Sequence, residues 1–266
     1  MENTTAYVLI SRDSYLLRWC ILNARLRAGI DHDWLVVLWI NPDEPEAPRA
    51  EIRAFCKAEG IRIAEFVATR EREHDSRTAW FLHSLYRAWN LGMEASETKW
   101  VARMGSDQFF SKGWLKNLHL AAEKHGERAT YHCWTVESTA AKHSRHDVQD
   151  WGTTWQTFDH PRFEQYASDL IYRYQHQVTI PGDECDLMFR HPARGLQHRA
   201  DGATWLMTKV LWEEFGPMRD TINEEGVTGD VDFLDRMGDA GVPAYLVPIS
   251  ATFHLVAGES RDIQQR

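Results

Sequence analysis

Cysteines and long apolar runs are both scarce in this sequence. The four cysteines, at positions 20, 56, 133 and 185, lie far apart and form no C-x-x-C pair. This spacing excludes a zinc knuckle and a dense disulfide framework, and it favours a reducing compartment. No run of about 18 apolar residues occurs, and the first residues show no basic segment before a long apolar stretch. We therefore expect a cytoplasmic protein with no membrane span.

Positive charge is also in deficit. The chain has 30 Lys and Arg against 39 Asp and Glu, for a formal net charge of minus 9. This excludes a nucleic-acid footprint extended over the whole surface, although it leaves room for a local basic patch. With 43% hydrophobic and 26% charged residues, the composition is that of a soluble globular protein, and the length suits one large α/β domain.

Strand-like and helix-like segments alternate along much of the chain. Apolar, β-branched runs predict strands, and apolar residues spaced by three or four predict helices. The predicted strands are 7–10, 34–40, 61–67, 99–103, 202–207 and 244–248, and the predicted helices are 16–24, 47–59, 78–93, 209–215 and 230–240. The segment 126–201 has no clear periodicity, and its elements are not predicted.

This alternation predicts an α/β fold with a central, mostly parallel sheet flanked by helices. In such sheets, ligands bind outside the carboxyl ends of the strands. We expect the loops after Ile10, Ile40, Val67 and Met104 to share that edge, which would also place Asp107 there.

An acidic motif follows the fourth predicted strand. Gly105-Ser106-Asp107-Gln108 comes first, and Lys112-Gly113-Trp114-Leu115 follows it. The pair resembles glycosyltransferases of the GT-A fold, closest to family 2, in which the central strand ends in an Asp-x-Asp-type motif before a Pro-x-Trp-Leu-like helix start. Gly105 stands where the first carboxylate is usual. The resemblance covers roughly residues 5–125 and 200–256.

The resemblance implies a single GT-A, Rossmann-like domain over 1–266, with a nucleotide-sugar half (1–125) and an acceptor half (126–266). It implies that Asp107 anchors Mn²⁺ or Mg²⁺ and that Ser106 lies against a UDP- or GDP-sugar donor. A divalent cation would neutralise the leaving diphosphate. The residues alone also allow Asp107 to be a turn or N-cap residue and Gln108 to be merely solvated.

A second acidic motif is Thr228-Gly229-Asp230-Val231-Asp232. It is similar to the Glu-Asp-x-Asp segment at a helix start in the same family, with Gly229 where Glu is usual. The resemblance implies that Asp230 is the catalytic base that takes the proton of the acceptor hydroxyl. The alternative from the residues alone is that Asp230 only stabilises a helix N-terminus.

Four more positions match the family pattern, and a fifth, Arg77, is a candidate because of its chemistry. His254 comes after the last predicted strand, where members of the family often place a histidine on the metal or diphosphate, and imidazole is a ligand for Mn²⁺. Ser11 and Arg12 stand in the loop that meets the nucleotide base, and Asp43 stands where an acidic residue binds base or ribose. Arg77 suits the diphosphate, because its planar fork matches phosphate, or it is a solvated residue at a helix start.

Tryptophan is abundant, with 12 in the chain. Because an indole face packs well against the C–H face of a pyranose, Trp151, Trp155 and Trp205 are candidate acceptor-site residues. The alternative is that they are core residues, as aromatic side chains commonly are.

These observations predict an inverting, metal-dependent glycosyltransferase that moves a sugar from a nucleotide-diphosphate sugar to a saccharide or other hydroxyl acceptor. Gly105 and Gly229, in place of carboxylates, motivate one alternative, a catalytically inactive saccharide- or nucleotide-binding protein of the same shape. A phage-type transferase that glycosylates hydroxylated DNA bases is another alternative, against which the acidic composition counts. An esterase or protease is not supported, because no G-x-S-x-G motif occurs.

Overall fold

A computed structural model describes residues 3–10, 12–138, 147–181, 189–190, 198–199, 204–221 and 229–255. Its strands are β1 (Thr4–Ile10), β2 (Asp33–Ile40), β3 (Arg62–Val67), β4 (Trp100–Met104), β5 (Gln108–Phe110), β6 (Thr130–Ser138), β7 (Asp147–Gln149), β8 (Ile180–Pro181), β9 (Phe189–Arg190), β10 (His198–Arg199), β11 (Trp205–Thr208) and β12 (Ala244–His254). Its helices are α1 (Ser14–Arg27), α2 (Ala47–Ala58), α3 (Arg77–Ala95), α4 (Trp114–His125), α5 (His160–Tyr174), α6 (Lys209–Phe215) and α7 (Gly229–Asp239).

Ten of these strands form one sheet, in the order β3-β2-β1-β4-β11-β6-β12-β5, with β7 beside β6 and β8 beside β12. The four strands β3, β2, β1 and β4 run parallel, so their carboxyl ends meet at one edge, as predicted. Beyond them, β11 is antiparallel to both of its neighbours, and β12 is parallel to β6 and antiparallel to β5. The predicted α/β class is therefore confirmed.

Strands β1, β2 and β4 are buried on both faces of the sheet. Successive side chains of a strand point to opposite sides, so each strand contributes to the core on both faces. In β1, Tyr7 and Leu9 belong to one hydrophobic cluster, whereas Ala6, Val8 and Ile10 belong to the other. A strand with two buried faces needs an apolar residue at nearly every position, which is why its run was easy to predict. Within the part of the chain described, no helix is long and apolar enough to cross a membrane.

Strand β6, which no sequence pattern predicted, carries buried polar side chains. In β6 every residue is buried, yet Thr130, His132, Thr135 and Glu137 interrupt any apolar run. Likewise β12 continues past position 248, where its predicted strand stops, to His254. Its pairing with β6 shifts register between Val247 and Ala251. The prediction that His254 comes after the last strand is thus wrong, since it is the final residue of that strand.

Candidate active site

Asp107 lies in the short turn between β4 and β5, at the sheet edge where the sequence placed it. Its side chain is buried, with the residue only 4% exposed. The amide N–H of Leu255 donates to its backbone oxygen at 2.9 Å and so ties the end of β12 to this turn. The position of Asp107 therefore depends on a hydrogen bond from a residue that is distant in sequence.

Gln108, the next residue, shapes the turn. It is 1% exposed, and its Oε1 accepts hydrogen bonds from the Gly105 amide, at 3.0 Å, and from the Thr204 hydroxyl. The interpretation of Gln108 as a solvated residue is wrong, because its side chain is buried and accepts hydrogen bonds from within the protein.

Gly105, where the family has a carboxylate, has a local reason to be glycine. A Cβ atom at this position would lie 2.7 Å from Oδ1 of Asp107. The Cys20 thiol also donates to the Gly105 carbonyl oxygen at 3.3 Å, and burial raises the pKa of this thiol, which keeps it protonated. The missing first carboxylate thus coincides with a turn in which the Asp107 side chain occupies the available space.

His254 joins two carboxylates. Its Nε2 lies 3.3 Å from Oδ2 of Asp107, and its Nδ1 lies 3.1 Å from Oε1 of Glu137. The sheet dictates this meeting, because His254 is the register partner of Gln108 on β5 and of Glu137 on β6. The two predicted metal ligands, Asp107 and His254, are thus brought together. Sequence reasoning missed Glu137, which belongs to the segment without periodicity.

The charges around His254 decide its protonation state. Burial by itself lowers the pKa of the imidazole, but the charges and hydrogen bonds of Asp107 and Glu137 outweigh that effect and raise the pKa to about 10. Without a metal, the ring is an imidazolium at neutral pH. Because a histidine binds metal through a deprotonated nitrogen, metal binding here would release a proton.

The raised pKa of His254 predicts how stability depends on pH in the presence of a chelator. An unfolded histidine has a pKa of about 6.5, so the stabilisation is fully present below that pH. It is then lost as pH rises through about 10. We expect the free energy of unfolding in urea to fall between these values. Glu137→Gln should reduce the fall, because the variant has one carboxylate less beside the ring.

Tyrosine and lysine groups also titrate near the upper end of this range, so the difference between wild type and Glu137→Gln is the informative quantity. Identical pH profiles for the two proteins would contradict the ion-pair assignment of His254.

The side chains of Asp107 and His254 suit a divalent cation. Two ligands that are each roughly 2.1 Å from one ion lie about 3 Å apart, and Oδ2 and Nε2 are 3.3 Å apart. The second ring nitrogen of His254, Nδ1, contacts the carboxylate of Glu137. Metal-binding histidines commonly donate a hydrogen bond from their second ring nitrogen to a carboxylate in this way. In the described residues, no group of three or more His, Cys, Asp or Glu could hold a metal. From the described residues, an ion would have Asp107 and His254 as ligands, and phosphate and water oxygens would suit the rest of its shell.

Asp230 lies in the first turn of α7, with its side chain 19% exposed. Its Oδ1 accepts hydrogen bonds from the Tyr86 hydroxyl, at 3.0 Å, and from the Val231 amide, at 2.9 Å. Its Oδ2 is paired with Nη1 of Arg103 at 3.2 Å. Arg103 belongs to β4, the strand that Asp107 follows, so one strand connects the two predicted acidic positions.

Gly229 departs from the family pattern for a steric reason. A Cβ atom there would lie 1.9 Å from the ring of Tyr86, and the residue has a φ of +45°. A glutamate at this position would have to displace the tyrosine that hydrogen-bonds Asp230. The position of the Tyr86 ring therefore requires a glycine at position 229.

The predicted nucleotide-side residues lie in loops at the same sheet edge. Arg12, after β1, is paired with Glu44, after β2, at 3.0 Å. Asp43 is half exposed and lies 3.7 Å from Arg70 in the loop after β3. These ion pairs connect three successive loops. Ser11 lies outside the described residues.

Arg77 is the first residue of α3, directly after the N-cap Ser76, whose side chain accepts from the Ala79 amide. Ser106 is 8% exposed in the turn before Asp107. The donor-binding roles of Arg77 and Ser106 stay predictions.

Of the three candidate tryptophans, one keeps substantial exposed surface. Trp205 is fully buried and Trp151 is 7% exposed, so the acceptor-site prediction is wrong for both, and they are core residues. Trp155 is half-buried, and its ring is nearly parallel to that of the exposed Tyr15, with centroids 6.4 Å apart. Trp155 stays a candidate.

The order and direction of the strands in the large sheet allow a comparison with known folds. No protein-family model matches the chain, and no curated protein matches it in sequence. Among solved structures, it is similar to GalNAc-T7 crystallised with UDP, GalNAc and Mn²⁺, with a TM-score of 0.58 and 12% sequence identity. The match covers 98% of this chain and 45% of that chain.

At this low identity the likeness shows the fold alone, and it confirms the GT-A fold. The narrower resemblance to family 2 stays a prediction. The chain spans less than half the length of GalNAc-T7.

Proposed function

We propose that this protein is an inverting, metal-dependent glycosyltransferase that uses a nucleotide-diphosphate sugar as donor. The observation that carries the proposal is the meeting of Asp107 and His254, whose Oδ2 and Nε2 atoms are 3.3 Å apart, at the carboxyl edge of the sheet. Asp230 supports it, because Arg103 connects this acid to the same strand, β4.

In the proposed reaction, the acceptor oxygen bonds to the anomeric carbon as the bond from that carbon to the diphosphate breaks, and the configuration inverts. Asp230 accepts the hydroxyl proton during this attack, a contribution typically worth about 10²- to 10⁴-fold in rate. Asp107 and His254 would hold Mn²⁺ or Mg²⁺, which neutralises charge on the departing UDP or GDP. Arg12 and Arg77 suit phosphate oxygens.

Under the same proposal, Ser11, Asp43 and Ser106 contact the nucleotide, and residues 1–125 form the donor half of a single domain. Residues 126–266 would then supply most of the acceptor site, including Trp155. The large sheet includes strands from both parts of the chain.

Nucleotide binding tests the metal and donor assignments. We expect calorimetric titration with UDP or GDP to show binding of one nucleotide that depends on Mn²⁺. The Asp107→Ala variant should lose this metal-dependent binding, because one of two protein ligands is removed. Asp169→Ala is the control, since this exposed acid on α5 is hydrogen-bonded only to Gln165 among its described contacts.

Failure of both nucleotides to bind wild type would contradict a UDP or GDP donor. Equal binding by Asp107→Ala and wild type would contradict the metal assignment and leave the donor assignment standing.

The contacts of Asp230 favour a second candidate function, a GT-A-shaped binding protein without catalysis. Both carboxylate oxygens of Asp230 already have partners, and Gly105 and Gly229 replace carboxylates of the family pattern. This candidate predicts nucleotide or saccharide binding without turnover, so transfer to any acceptor would reject it. Including hydroxymethylated DNA in the acceptor panel tests the predicted DNA-base alternative at the same time.

A further inference from the structure

We propose that Tyr86 and Arg103 are positioning residues that orient Asp230 so that one lone pair of its Oδ2 faces the acceptor. The catalytic part of this inference rests on the proposed function, whereas the positioning itself is a property of the side chains. Tyr86 comes from α3, Arg103 from β4 and Asp230 from α7, so three elements converge on one carboxylate.

Arg103 is held rigidly. The residue is 5% exposed, and its guanidinium carbon lies 4.2 Å from the ring centroid of Trp89 and 5.7 Å from that of Trp205. Its Nε is buried with no hydrogen-bond partner in the described structure. Because a buried cation is strongly unfavourable without a counter-charge, the Arg103 guanidinium favours an arrangement in which it stays paired with the Asp230 carboxylate.

Tyr86 fixes the other oxygen. It is 6% exposed, and its ring fills the space beside Gly229, where a Cβ atom would lie within 1.9 Å. Its hydroxyl donates to Oδ1 of Asp230 at 3.0 Å. Donors on both oxygens, from two different elements, define the plane of the carboxylate.

The two oxygens of the Asp230 carboxylate differ in how many of their lone pairs accept hydrogen bonds. Each carboxylate oxygen has two acceptor sites. Oδ1 uses both, for the Tyr86 hydroxyl and the Val231 amide. Oδ2 accepts only from Arg103 among the described residues. The remaining site on Oδ2 is thus the place where an acceptor hydroxyl can donate its proton.

A matched pair of variants, Tyr86→Phe and Tyr7→Phe, separates positioning from a loss of packing. Both tyrosines are buried, and each ring lies against a glycine, Gly229 for Tyr86 and Gly92 for Tyr7. The Tyr7 hydroxyl donates to the backbone oxygen of Trp89 at 3.2 Å and not to Asp230. Each variant removes one buried phenol hydroxyl, but only Tyr86→Phe removes it from the carboxylate.

The activity-independent measurement is the ¹³C NMR chemical shift of the Asp230 carboxyl carbon at neutral pH, assigned from the spectrum of Asp230→Asn. We expect Tyr86→Phe to change this chemical shift, because the carboxylate loses the hydrogen bond from the Tyr86 hydroxyl. Tyr7→Phe should leave it at the wild-type value. Equal chemical shifts in wild type and Tyr86→Phe would overturn the positioning role, whether or not the protein is a transferase.

The kinetic measurement uses UDP-GalNAc and GDP-mannose as probe donors with a panel of saccharide acceptors. We expect Tyr86→Phe to lower kcat roughly 10- to 100-fold with the donor KM unchanged, because a hydrogen bond to a charged group is lost. An unchanged kcat would overturn the catalytic part. Full activity of Asp230→Asn would instead overturn the proposed base, and the NMR result would still decide positioning.

Discussion

Replacing Asp230 by asparagine is expected to lower the rate of sugar transfer by about 10²- to 10⁴-fold and to leave nucleotide binding intact. Asparagine has nearly the same shape and keeps an oxygen that can accept from the Tyr86 hydroxyl and the Val231 amide. In the variant, an amide group replaces the carboxylate oxygen that would accept the acceptor's proton. The negative charge that pairs with Arg103 is also lost. The measurement is the steady-state release of UDP or GDP in the presence of acceptor, together with calorimetric nucleotide binding.

Asp232→Asn is the matched control, two residues further along α7. Asp232 is buried and paired with Arg219 at 3.2 Å and with Arg236 at 3.0 Å. Its replacement should lower the melting temperature but preserve transfer per folded molecule. An active Asp230→Asn protein, or equal loss in both variants, would contradict the assignment of Asp230 as the base.

Gly92→Ala is expected to lower the free energy of unfolding by about 3 kcal/mol. Gly92 lies in α3, and a Cβ atom there would be 2.2 Å from the buried ring of Tyr7. Tyr7 is fully buried in β1, so its ring cannot move out into solvent. The overlap should far exceed the gain of roughly 0.5–1 kcal/mol that alanine usually brings to a helix. Urea denaturation measures the difference.

Gly238→Ala provides the comparison, because Gly238 is also in a helix, α7, but a Cβ atom there would meet nothing within 4 Å. This variant should be as stable as wild type or slightly more stable. In addition, combining Gly92→Ala with Tyr7→Leu should cost less than the sum of the two single changes, since the smaller side chain relieves the overlap. Equal stability of Gly92→Ala and Gly238→Ala would contradict the tight contact.

The parallel part of the sheet and the position of Asp107 could be predicted from the sequence. Strands β1, β2 and β4 are buried almost throughout, so their apolar runs are local features that need no knowledge of neighbours. The acidic residue after β4 and the edge that it shares with other loops follow from the same alternation of strands and helices.

The side-chain partners of His254 and Asp230 depend on how the strands and helices pack, and could not be predicted from the sequence. Glu137 meets His254 because β6 and β12 pair in a particular register, and Arg103 and Tyr86 meet Asp230 across 127 and 144 positions of sequence. The role of Gly229 depends on the ring of Tyr86, and Trp205 proved to be a core residue because its strand lies inside the sheet. Such contacts form between side chains that only the packed sheet and helices bring together, so no local pattern of residues encodes them.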